Sequence, residues 1–482
     1  KPMPYMSFDT FSTIEVARSF ALKGQRIGAY EEPWWALMHH CDNMSHWTAH
    51  RFVQPDFEID KSLHSFTEEA VRSGIYDLLR NAERDHSGIA VHYSTSSRYA
   101  SHISGYTEFL KNLGSWQHLF EDLGLQYNFV ARQQIEEGGL TAKKYKVLIM
   151  PGSLSVSDKE GKGIRNFVSQ GGLIVGDIRT GLFTRNCKAR AKGCLDDVFG
   201  ILRTANNSYK GGTGITFGAH TIPTSLNELN LSLSGGQSLA ASKGSNGPAF
   251  ISHTYGKGKA CYLNFDLSGY IDFRGRSDTA ERAWLRVGRE ILAAASVAPP
   301  AKVVNRDGTL PHCEVVMYRD GESEYMGIMR DRTIGKEAFS RIELPRKAHL
   351  YDLRAKKYLG YTNAIDGLFG KKVQLYTALP YEVKGVKLKL ENTNFSRGQE
   401  VTYTSRIVGG GNNIQTHCIH VTVMGPDGRE FKHRLFYRNL LTKDAKAKGS
   451  FHLALNEITG KWTLKATDVI SGKSATVSFT VK

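Results

Sequence analysis

Between Gly88 and Ser296, short apolar runs alternate with segments of helical periodicity, the pattern that a parallel sheet covered by helices requires. Gly88-Ile-Ala-Val-His-Tyr93 reads as the first strand. Tyr106, Phe109, Leu110, Leu113, Trp116, Phe120 and Leu123 then recur at helical spacing, and Gly124 stands where a C-terminal cap is wanted. Strands are predicted at Gln126 to Val130 and at Tyr145 to Gly152, the second so continuously apolar that both of its faces should be covered. Ser157 and Glu160 form a capping-box pattern before a helix bearing Ile164, Phe167 and Val168. Gly171-Gly172 ends that helix, and Leu173-Ile-Val-Gly-Asp177 is the next strand, so a right-handed crossover is expected.

Periodicity is lost in a loop-rich stretch from 181 to 247. It returns as a hairpin about Gly256-Lys-Gly258 and as a helix from Asp278 to Ser296 with Trp284, Val287 and Ile291 turned inward. Pro299-Pro300 marks a boundary. Short strands and turns such as Arg306-Asp-Gly308 and Arg319-Asp-Gly321 then predict a small antiparallel β-domain. From Leu388 onward, alternating runs such as Val401-Thr-Tyr-Thr404 and Ala475-Thr-Val-Ser-Phe-Thr-Val481 predict an immunoglobulin-like sandwich. The expected fold class is α/β plus all-β. Its expected domains are a segment at 1–86, a flavodoxin-like domain at 87–298, the small β-domain at 299–387 and the sandwich at 388–482.

Composition adds limits. A chain of 482 residues is long enough for several domains. Its longest apolar stretch, Ile291 to Ala301, is broken by Ser296 and two prolines and falls short of the roughly 20 residues a membrane span needs. The formal charge of +16 raises the question of nucleic acid. The basic residues are nevertheless scattered, with one modest cluster from Arg185 to Lys192, no basic helix and no zinc-ligand spacing, so no nucleic-acid partner is expected. Six cysteines without a Cys-x-x-Cys do not decide the compartment. Cys187 and Cys194, seven apart, read either as a disulfide clasp or as two free thiols. The chain opens Lys1-Pro2-Met3, which reads as a processed or partial product.

The order of elements, with the strand Gly88 to Ser94, the helix end Leu119-Phe-Glu-Asp-Leu-Gly124, the strand Val147 to Gly152 and the unit Phe167-Val-Ser-Gln-Gly-Gly-Leu-Ile-Val175, resembles the C-terminal part of glycoside hydrolase family 42 β-galactosidases. That resemblance implies the end of a (β/α)8 barrel, a flavodoxin-like trimerisation domain and β-domains. It also implies a homo-oligomer, or a partner chain that completes the barrel. The same domain is similar to class I glutamine amidotransferases, whose Gly-x-Cys-x-Gly turn presents a nucleophilic cysteine. Here the turn reads Gly176-Asp-Ile-Arg-Thr-Gly181, so amidotransferase chemistry is not expected.

Upstream, the segment Gly28 to Trp47, followed by Gln54-Pro-Asp-Phe57, resembles the seventh strand, seventh helix and eighth strand of the family's barrel. Retaining glycosidases need two carboxyl groups about 5–5.5 Å apart. The resemblance implies Glu31 or Glu32 as the nucleophile, Trp34, Trp35 or Trp47 as sugar-stacking residues, and an acid/base that would precede Lys1. Glu31-Glu32-Pro33 reads equally as a helix N-terminus, where acidic residues and proline are at home. His39, His40 and His46 near Asp42 lack a metal-ligand spacing, so no metal and no cofactor is expected. Ser94 to Ser97 and Arg98 lie where open α/β sheets bind ligands, but without a Gly-x-Gly-x-x-Gly they read as helix-capping residues. Four Asn-x-Ser sequons, at Asn43, Asn206, Asn230 and Asn394, are compatible with an extracytoplasmic protein.

Three readings of function follow. In the first, the chain is a non-catalytic structural and oligomerisation portion of a β-galactosidase-like glycoside hydrolase, inactive as a catalyst by itself. In the second, it is an active retaining hydrolase of β-galactoside-like substrates whose remaining barrel strands lie upstream or on a partner. In the third, it is a module that binds carbohydrate or an acidic surface.

Overall fold

The computed structural model describes residues 10–21, 27–29, 33–41, 43–44, 65–203, 209–211, 214–217, 220–224, 226–243, 247–411, 413–433 and 435–482. They fall into two compact units, one comprising residues 1–27, 85–315 and 330–340, the other residues 28–84, 316–329 and 341–482.

The first unit is built on a nine-stranded sheet. Its strands are β1 (Ile89–Tyr93), β2 (Asn128–Ala131), β3 (Val147–Met150), β4 (Leu173–Gly176), β5 (Ile215–Phe217), β6 (His220–Ile222), β7 (Gln237–Ser242), β8 (Pro248–Tyr255) and β9 (Gly258–Leu263). Their order is β6-β5-β7-β8-β9-β4-β3-β1-β2. The half from β9 to β2 is parallel, with registers such as Ile89↔Val147, Val147↔Leu173 and Lys259↔Leu173. The half from β6 to β9 is antiparallel.

The continuous apolar runs are explained by the pleat, which sends successive side chains to opposite faces. Ile89, Val91, Val147, Ile149, Leu173 and Val175 pack on one face with Trp116, Phe120 and Trp284. Ala90, Leu148, Met150 and Ile174 pack on the other with Ile164, Phe167 and Val168. Five helices are named here: α1 (Thr10–Phe20), α2 (Thr95–Ile103), α3 (Phe109–Asp122), α4 (Asp158–Ser169) and α5 (Thr279–Ala293). Helices α3 and α5 supply the first set of partners and α4 the second. Each of the large side chains so buried is worth about 1.5–3 kcal/mol. The Ser157–Glu160 capping box is formed, and Asp278 caps α5 by accepting from the Glu281 N–H. Helix α1 is fastened to the β2 edge: Arg18 donates to the Tyr127 carbonyl at 2.8 Å, and the Phe129 N–H donates to Ser19 Oγ at 2.9 Å.

The stretch 181–247 holds three-residue strands, among them Ile201–Arg203 paired with Leu231–Leu233 and Tyr209–Gly211 paired with Leu226–Glu228. Runs this short carry no readable period.

In the second unit, Gly28–Ala29 pairs in parallel with Asn43–Met44. The helix between them, Pro33–Met38, is buried from Trp34 to Met38. Gln54 to Phe57, expected to resemble an eighth barrel strand, lie outside the described residues. Antiparallel pairing joins Glu83–Arg84 to Tyr318–Arg319, and Gln374–Ile328 marks one end of the register between Ser323–Arg330 and Gln374–Leu379. The C-terminal part holds two sheets, one of Val383–Leu390, Glu400–Gly409 and Lys446–His452, the other of Asn394–Phe395, Ser474–Val481, Gly460–Asp468, Cys418–Met424 and Arg438–Leu441. Phe451 from the first and Phe479 from the second meet at 6.2 Å, and Phe479 stacks on the fully buried Trp462 at 6.0 Å. The strand Val383–Leu390 crosses the expected boundary at 387/388, because its register runs against Glu400–Gly409 on both sides of that point.

Candidate functional site

The C-terminal ends of the parallel strands, where an open α/β sheet offers a ligand site, carry a dense set of polar side chains. His92 on β1 has Nδ1 2.9 Å from Ser153 Oγ and Nε2 3.2 Å from Glu160 Oε1. Serine, imidazole and carboxylate thus stand in a row, an order known from nucleophilic catalysis. All three are closed from solvent, with exposures of 0% for Ser153, 2% for His92 and 2% for Glu160. The other oxygen of Glu160 accepts the Ser157 N–H of the capping box at 2.7 Å. This arrangement ties β1 to the start of α4 and offers no way in for a substrate.

Beside it, Asp177 follows β4 and accepts from Asn112 Nδ2 at 2.6 Å, the Gly152 N–H at 2.7 Å and Trp116 Nε1 at 3.2 Å. Burial pushes its carboxyl up to about 8 against the pull of these three donors. Asp266, after β9, accepts from the Tyr106 hydroxyl at 2.9 Å and Ser268 Oγ at 2.7 Å, and burial raises it too.

The turn after β4, from Gly176 to Gly181, holds one strained backbone position. Arg179 sits there at φ +63°, a left-handed conformation that a non-glycine residue adopts only when its surroundings over-determine it. Its N–H donates to Glu228 Oε1 at 2.6 Å and to the Tyr262 hydroxyl at 2.9 Å. Arg203, fully buried, reaches Asp196, Glu228, the Tyr262 hydroxyl and the Thr180 carbonyl. A guanidinium, not a thiol, therefore organises this turn. The six cysteines are free thiols, and burial pushes Cys194 up to about 11, which keeps that thiol protonated and weakly nucleophilic at neutral pH.

Of the residues that the sequence singles out upstream, Glu31, Glu32 and Trp47 lie outside the described residues. Trp34 and Trp35 are both buried. Trp34 meets Phe66 edge-on at 5.3 Å and lies under the Arg354 guanidinium at 4.3 Å, and Trp35 packs on His39 at 4.0 Å. Ser94 caps α2 by accepting the Ser97 N–H at 3.0 Å, as a capping serine would. Sequence reasoning missed the His92–Ser153–Glu160 row and the Arg203 network, whose members lie up to 83 residues apart in the chain. It also missed Asp122, Glu281 and His312, the one group among the described residues with ligand atoms placed for a metal ion.

The parallel strands and the helices α2 to α4 match the family model described as the β-galactosidase trimerisation domain, over residues 87–272. Among solved structures, the chain is similar to Gan42B, a GH42 β-galactosidase from G. stearothermophilus, at 14% identity and a TM-score of 0.58, over 76% of this chain and 56% of that one. It is similar to the β-galactosidase of Bacillus circulans sp. alkalophilus at 16% identity and a TM-score of 0.58, over 78% and 59%. A third likeness is to the cold-adapted β-galactosidase from Rahnella sp. R3, at 16% identity and a TM-score of 0.53, over 71% and 50%. At such identities the likeness is one of fold, and the chain spans between half and three-fifths of the length of these relatives. No curated protein matches it by sequence. The segment that matches the trimerisation-domain model thus holds the strand ends, the arginine turn and the closed polar row. Among the described residues, no helix is long and apolar enough to cross a membrane.

Proposed function

We propose that this chain is the assembly and support portion of a β-galactosidase-like glycoside hydrolase, a non-catalytic part whose flavodoxin-like trimerisation domain joins copies into a homo-oligomer and whose immunoglobulin-like sandwich adds structural mass. The observation that carries the proposal is the match of residues 87–272 to the trimerisation domain. Two features of the strand ends support it: the polar row around His92 is sealed, and the elbow presents Arg179 in place of a nucleophile. The direct test is the mass of the purified chain in solution, measured by light scattering. The proposal expects a multiple of 53.6 kDa, and a monomer that also ignores a separately supplied barrel polypeptide overturns it.

A second reading keeps a catalytic part. The parallel pair Gly28–Ala29 and Asn43–Met44, joined through a buried helix, is what consecutive barrel strands would form. In that reading Glu31 or Glu32 is the nucleophile of a retaining hydrolase and Trp34, Trp35 or Trp47 contributes to the sugar site. With the barrel completed by upstream sequence, Glu31→Gln or Glu32→Gln should reduce hydrolysis of an aryl β-galactoside by a factor of 1000 or so, about 4 kcal/mol of lost transition-state stabilisation. Full activity in both variants removes the assignment.

A further inference from the structure

We propose that Glu281 and His312, with Asp122 behind the histidine, form a binding site for one divalent transition-metal ion of the zinc type. The three residues come from separate parts of the first unit. Asp122 ends α3, Glu281 lies in the first turn of α5, and His312 precedes the strand Cys313–Asp320. One ligand atom of each lies within 4.8 Å of the others.

The histidine is the observation that asks for an ion. Its ring is 5% exposed, and neither ring nitrogen has a hydrogen-bond partner. A buried polar atom left in that state costs about 1–3 kcal/mol, and such groups are rare in folded proteins. The ring nonetheless faces two carboxylates, with Nδ1 3.6 Å from Asp122 Oδ1 and Nε2 3.6 Å from Glu281 Oε1. Those distances are beyond a hydrogen bond. With metal–nitrogen and metal–oxygen bonds of about 2.0–2.2 Å, two ligands of a tetrahedral zinc stand roughly 3.4 Å apart, so an ion fits between Nε2 and Glu281 with almost no movement.

Charge points the same way. Asp122, Glu281 and Asp331 bring three carboxylates to this place, and one guanidinium, Arg274, bridges Asp122 at 2.6 and 2.9 Å and Asp331 at 2.6 Å. The carboxylates outnumber the guanidinium beside the imidazole, and buried charge is stable only when paired. A dication offsets that excess. Arg274 and the Tyr270 hydroxyl already hold Asp122, which suits it to accept from Nδ1–H and aim the ring, the carboxylate–histidine–metal arrangement. The oxygens of Glu281 take the N–H groups of Gly275 and Ser277 at 2.8 and 2.6 Å, one each, which fixes the carboxylate and leaves lone pairs for the ion. His312 is held at φ +41°, so the backbone bears strain to keep the ring here. Asp122 and His312 also line a cavity of 480 Å³, from which water can complete the coordination. An imidazole and a carboxylate favour zinc or manganese over calcium or magnesium, which prefer oxygen alone.

The test is calorimetric titration of the EDTA-treated full-length chain with Zn2+. One equivalent should bind, and His312→Gln and Glu281→Gln should each weaken binding at least tenfold, while Cys187→Ser and Cys194→Ser leave it unchanged. Asp122→Asn should weaken it by 10–100-fold, as loss of an orienting partner does. Because a core variant can fail to fold, the Co2+-loaded wild-type chain provides a second readout, expected to show ligand-field bands without a thiolate charge-transfer band. Absence of Zn2+ uptake by the wild-type chain, uptake indifferent to both the His312 and Glu281 changes, or a thiolate band with cobalt would each overturn the site.

Discussion

At the scale of single residues, the strand ends of the first unit are ruled by desolvation. Asp177 is fully enclosed and its carboxyl is pushed up to about 8, and Glu121, beside His118, is pushed up to about 7 by the same cause. An acid whose folded pKa lies above its unfolded value of about 4 keeps its proton longer in the folded state. Its stabilising contribution is therefore complete below that value and is lost as pH rises toward the folded pKa. Asp122, held down by His312 and then Arg274 despite burial, and Asp331, held down by Arg274, work in the opposite sense and matter below pH 4. Asp177→Asn should accordingly flatten the fall in stability between pH 5 and pH 8 by about 1 kcal/mol per pH unit, read from denaturant midpoints at each pH. A variant whose midpoint falls as steeply as the wild type would show that Asp177 is not the titrating group. Little of this was legible in the sequence. Asp177 is one aspartate after an apolar run, and nothing near it signals Asn112 or Trp116, which arrive from another helix. His312 likewise gains its meaning from Asp122 and Glu281, 190 and 31 positions away in number.

At the scale of elements, local signals and structure agree wherever one segment carries its own information. The capping box at Ser157 and Glu160 starts α4 where the pattern requires, and the runs at 147–150 and 173–176 are buried on both faces. Ser157→Ala removes the acceptor of the Glu160 N–H at 3.0 Å and the donor to Glu136 at 2.7 Å. It should cost about 1 kcal/mol, a fall of roughly 2–4 °C in melting temperature for a unit of this size. An unchanged melting temperature would mean that the cap contributes nothing to the cooperative unit. At Gly176, the last residue of β4, a Cβ would lie 2.5 Å from the Phe199 ring, a constraint that no periodicity announces. The stretch from 181 to 247 was not legible for a related reason. Its strands bury only scattered apolar residues, such as Ile201, Ile215 and Ile222, and rely as much on polar partners, such as the Glu228 N–H donating to Asn264 Oδ1 and Arg203 reaching Asp196.

At the scale of the whole molecule, the central claim is that residues 87–272 exist to join copies of the chain. The sequence carried the family resemblance through four α/β segments taken together, and the match of that span to the trimerisation domain agrees with it. The barrel-like segment was less legible, since two-residue strands at Gly28–Ala29 and Asn43–Met44 leave almost no pattern. The measurement that bears most directly on the account is the mass of the complete chain in solution, by light scattering across a tenfold range of concentration. The account predicts three copies, a mass three times 53.6 kDa; a single copy of 53.6 kDa at every concentration, with or without a separately supplied barrel polypeptide, would contradict it.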